Sequence, residues 1–440
     1  MKPIFPHRNT TLFQRVRGKG ESQKGVSSVT AVSAGTLASV LVIVSAMIFA
    51  YTKIWAHRIG FQSSHDPSLN MLVEISLGIV ALCSLLKFVI SFHDIMDIGV
   101  VNIAIYVMLL CVAFLFYKTK SIGTDFILAG LIGFVLHKEK PRLIIESTFY
   151  SCLVLFSFQL LGYALGLFHD NGVWTSAAQP SAPRLAFGFG YPTYVFAYFL
   201  PILMGIYYLD KIKFRKITAA YCLALLVIVF LKTASKALLI LTALMLFNPI
   251  VKVGLKKSRL VRQFMVLAYP LFALLSICSA IFMSRIPPPI RDLFSGRFWY
   301  WNQYWKGGVR IWGPTPSNND LFFVQRYPLD NAILHALFIG GIIVIITIGV
   351  MYTKLIYSAL KASDYKLVVL ALNTLEFGFT EALFSLGITV IMPLLYSVFL
   401  QRTPASHQNG SADIALTPRH STSIYKIVGK PKTRYLSATD

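Results

Sequence analysis

Basic and acidic side chains stand at the mouths of apolar segments in this chain, in an order suited to holding a phosphorylated substrate and acting on it. Arg184 precedes one apolar run, Lys232 and Lys236 bracket the short turn Lys232-Thr-Ala-Ser-Lys236, and Arg297 opens an aromatic stretch. Arginine suits phosphate because its planar guanidinium gives two parallel charge-assisted hydrogen bonds and stays protonated, whereas lysine offers a point charge. Each of these residues alone reads first as a solvated or headgroup-facing charge at a helix end, and it is their number on one side that points to a ligand. A further run then opens with Asp330-Asn331 and carries His335. Asp330 is a good helix N-cap, and a carboxylate or imidazole at that place is also a candidate general base. Asn331 and His335 lie about one helical turn apart, so a polar pair enters an otherwise apolar segment, where ionisable groups point to a functional site. Glu381 stands at a later turn, with Glu376 just before it.

The stretch Ser295-Gly-Arg-Phe-Trp-Tyr-Trp-Asn-Gln-Tyr-Trp305 has the spacing of a short helix. Arg297, Trp301 and Trp305 then share one face at i, i+4 and i+8, and Ser295 is placed to cap it. Such a helix is expected to lie along a membrane surface, with the arginine near headgroups or clamping a lipid-linked pyrophosphate. All six tryptophans (Trp55, Trp174, Trp299, Trp301, Trp305, Trp312) fall on one expected side of the membrane or at its boundary. Tryptophan belts normally occupy both interfaces, so one-sided clustering adds sugar stacking to the simpler reading of anchoring.

The elements that must position these residues are helices in lipid. Of 440 residues, 56% are hydrophobic and 13% charged. Apolar runs of about 20 residues match the roughly 30 Å hydrocarbon core. The expected architecture is all-α and polytopic, with about 12 transmembrane helices and one large external loop, 284–330. The spans fall near 30–51, 71–92, 98–117, 122–137, 143–168, 193–209, 217–231, 237–251, 264–283, 331–353, 366–380 and 382–400. A basic cytoplasmic tail (1–29), a transmembrane domain (30–400) and a disordered, Ser/Thr-rich cytoplasmic tail (401–440) divide the chain. The positive-inside rule places both termini in the cytoplasm, and the basic stretches from Lys138 to Arg142, Lys211 to Lys216 and Lys252 to Arg262 all fall on that side. This asymmetry and attraction to anionic lipid account for the net charge of +23, so nucleic acid is not an expected partner. Lys87 is expected to snorkel to the inner interface, and Arg142 to pair with Glu146 one turn on. The five cysteines show neither CxxC nor Cys/His spacing, so no metal site and no disulfide framework is expected. No inverted hydropathy symmetry of the transporter kind is visible.

Taken in order, these pieces resemble the Wzy-type polysaccharide polymerases and the related O-antigen ligases. The resemblance rests on Arg184…Gly188-Phe-Gly-Tyr-Pro192, Lys232-Thr-Ala-Ser-Lys236, Ser295-Gly-Arg297…Trp301, Asp330-Asn331 with Gly341, Glu381 and Pro393-Leu-Leu, over roughly residues 140–400. It implies an all-helical enzyme of the bacterial cytoplasmic membrane that joins polyprenyl-pyrophosphate-linked oligosaccharides at the outer face without metal or cofactor. It also implies that Arg184, Lys236 and Arg297 contact pyrophosphate and that the Asp330 region activates the acceptor hydroxyl, with Asp330 or His335 taking the proton. Lys232, Trp301, Trp305, Asn331 and Glu381 complete the expected substrate-binding set. Membrane lipid, a chain-length regulator and a flippase are the other partners the resemblance admits. Departures from the pattern are Ser235-Lys236 where a Ser-Arg pair is common and Tyr191-Pro-Thr193 in place of His-Pro-Asn. Asp330 stands where the ligases carry histidine, which favours polymerase over ligase. A lipid-linked-oligosaccharide flippase or other transporter is the alternative from a different class.

Overall fold

A computed structural model describes residues 33–59, 67–92, 103–104, 107, 123–170, 174–176, 179–189, 194–209, 227, 243–245, 247–294, 297–313, 329–380 and 391–400. By contacts the chain divides into Met1–Gln401 and Arg402–Asp440, and every described residue belongs to the first unit. The N-terminal helices are α1 (Ala34–Ile59), α2 (Pro67–Ile90), α3 (Gly123–Val135), α4 (Pro141–Ala164) and α5 (Tyr194–Leu209). After them come α6 (Asn248–Lys257), α7 (Arg259–Val266), α8 (Ala268–Ile281), α9 (Pro288–Leu293) and α10 (Arg297–Lys306). The last three are α11 (Ala332–Lys361), α12 (Tyr365–Thr380) and α13 (Ile391–Leu400).

Four of these helices are long and apolar enough to cross a membrane: Ala34–Lys53, Met71–Ile90, Pro141–Ala164 and Ala332–Lys361. A fifth is gained if α7 and α8, bent by 55° at Leu267, form one span. The chain is therefore a helical, membrane-embedded protein. Among the expected spans, 98–117 and 217–231 fall largely outside the described residues, and 237–251 and 382–400 fall partly outside them. The structure is not purely helical: Trp174–Ser176 (β1) and Gln179–Arg184 (β2) form an antiparallel hairpin, with Trp174 opposite Arg184. Prolines at 180 and 183 leave β2 without an apolar periodicity, which hides the hairpin from a pattern reading.

Side-chain bonds tie the helix ends into two levels. At one, Lys87 is 5% exposed and its ammonium lies 2.7 Å from Glu139 Oε1 and 3.2 Å from Gly35 O. Ser39 donates to the same carboxylate at 2.6 Å. Lys87 thus does not snorkel, because a carboxylate 52 residues away supplies the counter-charge inside the protein. The expected pair of Arg142 with Glu146 forms at 3.8 Å. The α5 end belongs to this level too, since Tyr208 lies within reach of the charge of Arg142, three residues after Glu139, and it donates to Asp364 at 2.9 Å between α11 and α12. At the other level Tyr51 donates to Gln159, and Gln159 in turn donates to Phe187 O at 2.8 Å. Because α11 runs away from Asp364, its first residues lie at this second level.

The organising feature is a break in α11. Gly341 has φ 81° and ψ −177°, so the helix stops and restarts there. The freed backbone groups are taken by the segment after α10. Ile342 N donates to Arg310 O and Ile343 N to Ile311 O, both at 3.1 Å, and Gly313 N donates to Gly340 O at 3.3 Å. In lipid each unpaired backbone group costs several kcal/mol, which is why a broken membrane helix needs such a patch. The segment from Ile342 to Lys361 is about 30 Å long and meets the crossing length alone.

Gly341 permits no side chain, because an added Cβ would stand 2.6 Å from both Ile311 O and Trp312 Cα at a positive φ. Gly341→Ala is expected to destabilise the protein by at least about 1–3 kcal/mol, the cost of a strained backbone position. Thermal unfolding of the detergent-purified protein checks this. A wild-type transition in the variant would contradict the patched break.

Candidate functional site

Residues from α10, α11 and the loop before α11 meet between the break and the start of α11. In α10, Phe298, Trp301 and Tyr304 face inward and are buried, while Trp299 is 42% exposed. Trp301 packs edge-on against Phe298 (5.0 Å) and Phe379 (5.6 Å), and Trp305 against Phe338 (6.3 Å). Asn302 donates to Ala280 O at 2.7 Å, fastening α10 to the end of α8. The helix expected over this stretch is present, but its buried stripe faces protein. Trp301, expected to offer an aromatic face to a substrate, is enclosed, because the i, i+3, i+6 stripe seats on α8, α11 and α12. Ser295, the expected cap, lies outside the described residues.

Asp330 does not cap α11. The cap is Asn331, whose Oδ1 accepts from Leu334 N at 2.8 Å. Its Nδ2 donates to Ser276 Oγ at 3.1 Å and to Phe379 O at 3.0 Å, and its carbonyl accepts from His335 N at 2.8 Å. Asn331 is fully buried, and both of its amide hydrogens are used in joining α8, α11 and α12. It serves structure where sequence placed it with substrate. The helix begins at Ala332, one residue later than a cap at Asp330 requires.

Relieved of capping, the Asp330 carboxylate pairs with Arg297: Oδ2 lies 3.4 Å from Nε, with the two side chains 30% and 16% exposed. The residues expected to bind pyrophosphate and to take a proton are thus adjacent. Tyr304, which sequence reading passed over, sits at i+7 from Arg297 on the same helix. Burial, and then the negative charge of Asp330, holds its phenol above the ordinary range, so it remains a neutral donor at physiological pH. The seven-residue spacing from Arg297 was the signal available for it. Two ring nitrogens in this layer, Trp301 Nε1 and His335 Nδ1, are shielded and have no hydrogen-bond partner among the described residues. His335 shares the first part of α11 with Asn331, but its only described polar bond is through the backbone.

A second element at this level presents the backbone of Arg184. The turn after β2 places Phe187 at φ 50° and Gly188 at φ 75°. Two successive positive φ values need support, and Asp170 provides it. Its Oδ1 accepts from Gly188 N at 2.7 Å, and Oδ2 from Ala186 N at 3.2 Å and Tyr163 at 3.3 Å. Sequence reading singled out neither Asp170 nor Gln159. The Arg184 side chain, Lys232, Lys236 and Glu381 lie outside what is described.

The fold and these residues define a helical membrane protein with a part-buried Arg–Asp pair at one end of its helix bundle. Comparison with known proteins finds no matching family model, no similar curated sequence and no similar solved structure.

The pair should register in stability as a coupling. Arg297→Gln and Asp330→Asn, singly and together, are expected to give a non-additive term on the order of 1 kcal/mol for a part-exposed pair, read from thermal unfolding. Strict additivity would mean that the two charges do not act on each other.

Proposed function

We propose that the protein is a polysaccharide polymerase of the bacterial cytoplasmic membrane. It has about twelve spans and both termini in the cytoplasm, and it extends polyprenyl-pyrophosphate-linked oligosaccharides at the outer face. The observation that carries this reading is the Arg297–Asp330 contact together with the cap at Asn331. A carboxylate that does not cap its helix stands beside a guanidinium that matches pyrophosphate and near a neutral phenol, with His335 just over one turn into the same helix.

The chemistry follows from exchange of partners. The donor's pyrophosphate takes the Arg297 guanidinium with two parallel hydrogen bonds and displaces the Asp330 carboxylate. Asp330 then accepts the proton of the acceptor sugar hydroxyl, with His335 as the second candidate for that role. The hydroxyl oxygen bonds to the donor's anomeric carbon as the bond from that carbon to the pyrophosphate oxygen breaks. Polyprenyl pyrophosphate departs as an anion, and the charge developing on its bridging oxygen is stabilised by Arg297. Arg184, Lys232 and Lys236 extend the cationic surface along the substrate, with Trp305 and Glu381 toward the sugars. Membrane lipid surrounds the enzyme, and a chain-length regulator and a flippase are its expected protein partners.

The broken α11 favours one other reading, since transporters place substrates at unwound helix segments. In those sites the freed backbone groups serve the substrate or ion. Here three of them are taken by Arg310, Ile311 and Gly313, which fits a patched structural break better than a transport site.

At equal membrane abundance, Asp330→Asn is expected to slow chain extension by about 10²- to 10⁴-fold, the range for loss of a general base. Arg297→Lys should restore only part of what Arg297→Ala loses, because the fork geometry is gone. Cells lacking the protein should accumulate single repeat units on lipid. Full-length unattached glycan would instead indicate a ligase, and repeat units confined to the inner leaflet a flippase. Normal extension by both Asp330→Asn and His335→Gln would remove proton transfer from this site.

A further inference from the structure

Between α8 and α11, on the half of α11 far from Asp330, lies an apolar groove of about 740 Å³. Ala273 and Ile277 line one wall, Ile345 and Val350 the other, and Lys354 and Tyr357 stand at one end. The groove is preformed: Tyr269 donates to Ile345 O at 3.1 Å and stacks on Tyr352 at 5.3 Å, holding the two helices in register. From Ile345 to Tyr357 it runs about 18 Å along the helix axis. One leaflet of a roughly 30 Å hydrocarbon core is about 15 Å deep, so a single lipid chain matches the groove's length.

Charge at the polar end identifies the headgroup. There α7 packs on α11, joined to α6, and the two carry Lys252, Lys256, Lys257, Arg259 and Arg262. On α7 the arginines alternate with Leu260 and Phe264, 62% and 53% exposed. Exposed leucine and phenylalanine beside arginine mark a helix lying in the headgroup layer. The Arg262 Nε is shielded and has no hydrogen-bond partner among the described residues. A shielded guanidinium N–H without an acceptor is suited to an anion.

We propose that this groove holds one acyl chain of an anionic phospholipid from the leaflet opposite the Arg297–Asp330 site. Its phosphate lies between Lys354 and Arg262. The site is separate from the pyrophosphate reading and stands whether or not the protein is a glycosyltransferase.

The test uses the full-length protein in detergent micelles containing phosphatidylglycerol or phosphatidylcholine, with bound lipid counted by native mass spectrometry. The wild type should retain one phosphatidylglycerol in preference to phosphatidylcholine. Lys354→Ala and Arg262→Ala should each weaken retention about fivefold, from roughly 1 kcal/mol per basic residue at an anionic lipid surface. Ala273→Trp fills the groove without changing charge and should abolish retention. If that variant fails to fold, the two charge variants decide alone. Equal retention of both lipids, or phosphatidylglycerol held undiminished by Lys354→Ala and Arg262→Ala, would overturn the proposal. A dimer in the wild type that Ala273→Trp dissociates would also overturn it, assigning the groove to a second copy of the chain.

Discussion

The break of α11 at Gly341 is the constraint on which the rest of the site depends. A helix interrupted in lipid must have its freed backbone groups paired by protein, and here the pairing comes from the three residues Arg310, Ile311 and Gly313. That requirement fixes where the segment after α10 runs. With its C-terminal end held at the break, α10 lies along the first part of α11, and Arg297 at its start reaches Asp330, the residue before that helix's cap. The aromatic stripe of Phe298, Trp301 and Tyr304 then finds Phe338 and Phe379 as its packing surface. One glycine with a positive φ thus sets the position of a charged pair at the far end of a neighbouring helix.

The second determinant is the division of labour between Asp330 and Asn331. Either residue type caps a helix well, but a cap also has to fit its surroundings. Asn331 brings two amide hydrogens that join Ser276 and Phe379, which a carboxylate lacks. Placing the amide at the cap leaves the carboxylate outside the helix, where Arg297 meets it. At the opposite level Lys87 and Glu139 make a shorter, more enclosed contact, reinforced by Ser39 and Gly35 O. That pair is saturated with partners and reads as structure. The Arg297–Asp330 contact is longer and open to solvent on the Asp330 side, as an exchangeable pair requires.

Much of the helical framework was legible because apolar length is a local property. The expected spans at 71–92, 143–168, 193–209 and 366–380 overlap α2, α4, α5 and α12 closely, and the aromatic helix at Arg297 follows from spacing alone. What sequence left hidden depends on partners distant in the chain. Lys87 looked like a snorkelling lysine because Glu139 is 52 residues away. Asp330 and Asn331 are indistinguishable as caps until Ser276 and Phe379 are placed. Gly341 entered only as part of the family resemblance, and nothing local announced that the helix would break there or that the loop would fill it. Trp301 was read as a surface aromatic because it shares a face with Arg297 and Trp305, and only the docking on Phe379 shows that it lies inside.

The central claim is that Asp330 occupies the place on Arg297 that a pyrophosphate takes during turnover. Affinity for a short-chain polyprenyl pyrophosphate, measured by calorimetry on the detergent-purified wild type and Asp330→Asn, tests it most directly. Removing the internal competitor should make Asp330→Asn bind more tightly than the wild type, and Arg297→Gln should abolish the difference. Equal or weaker binding by Asp330→Asn would contradict the account.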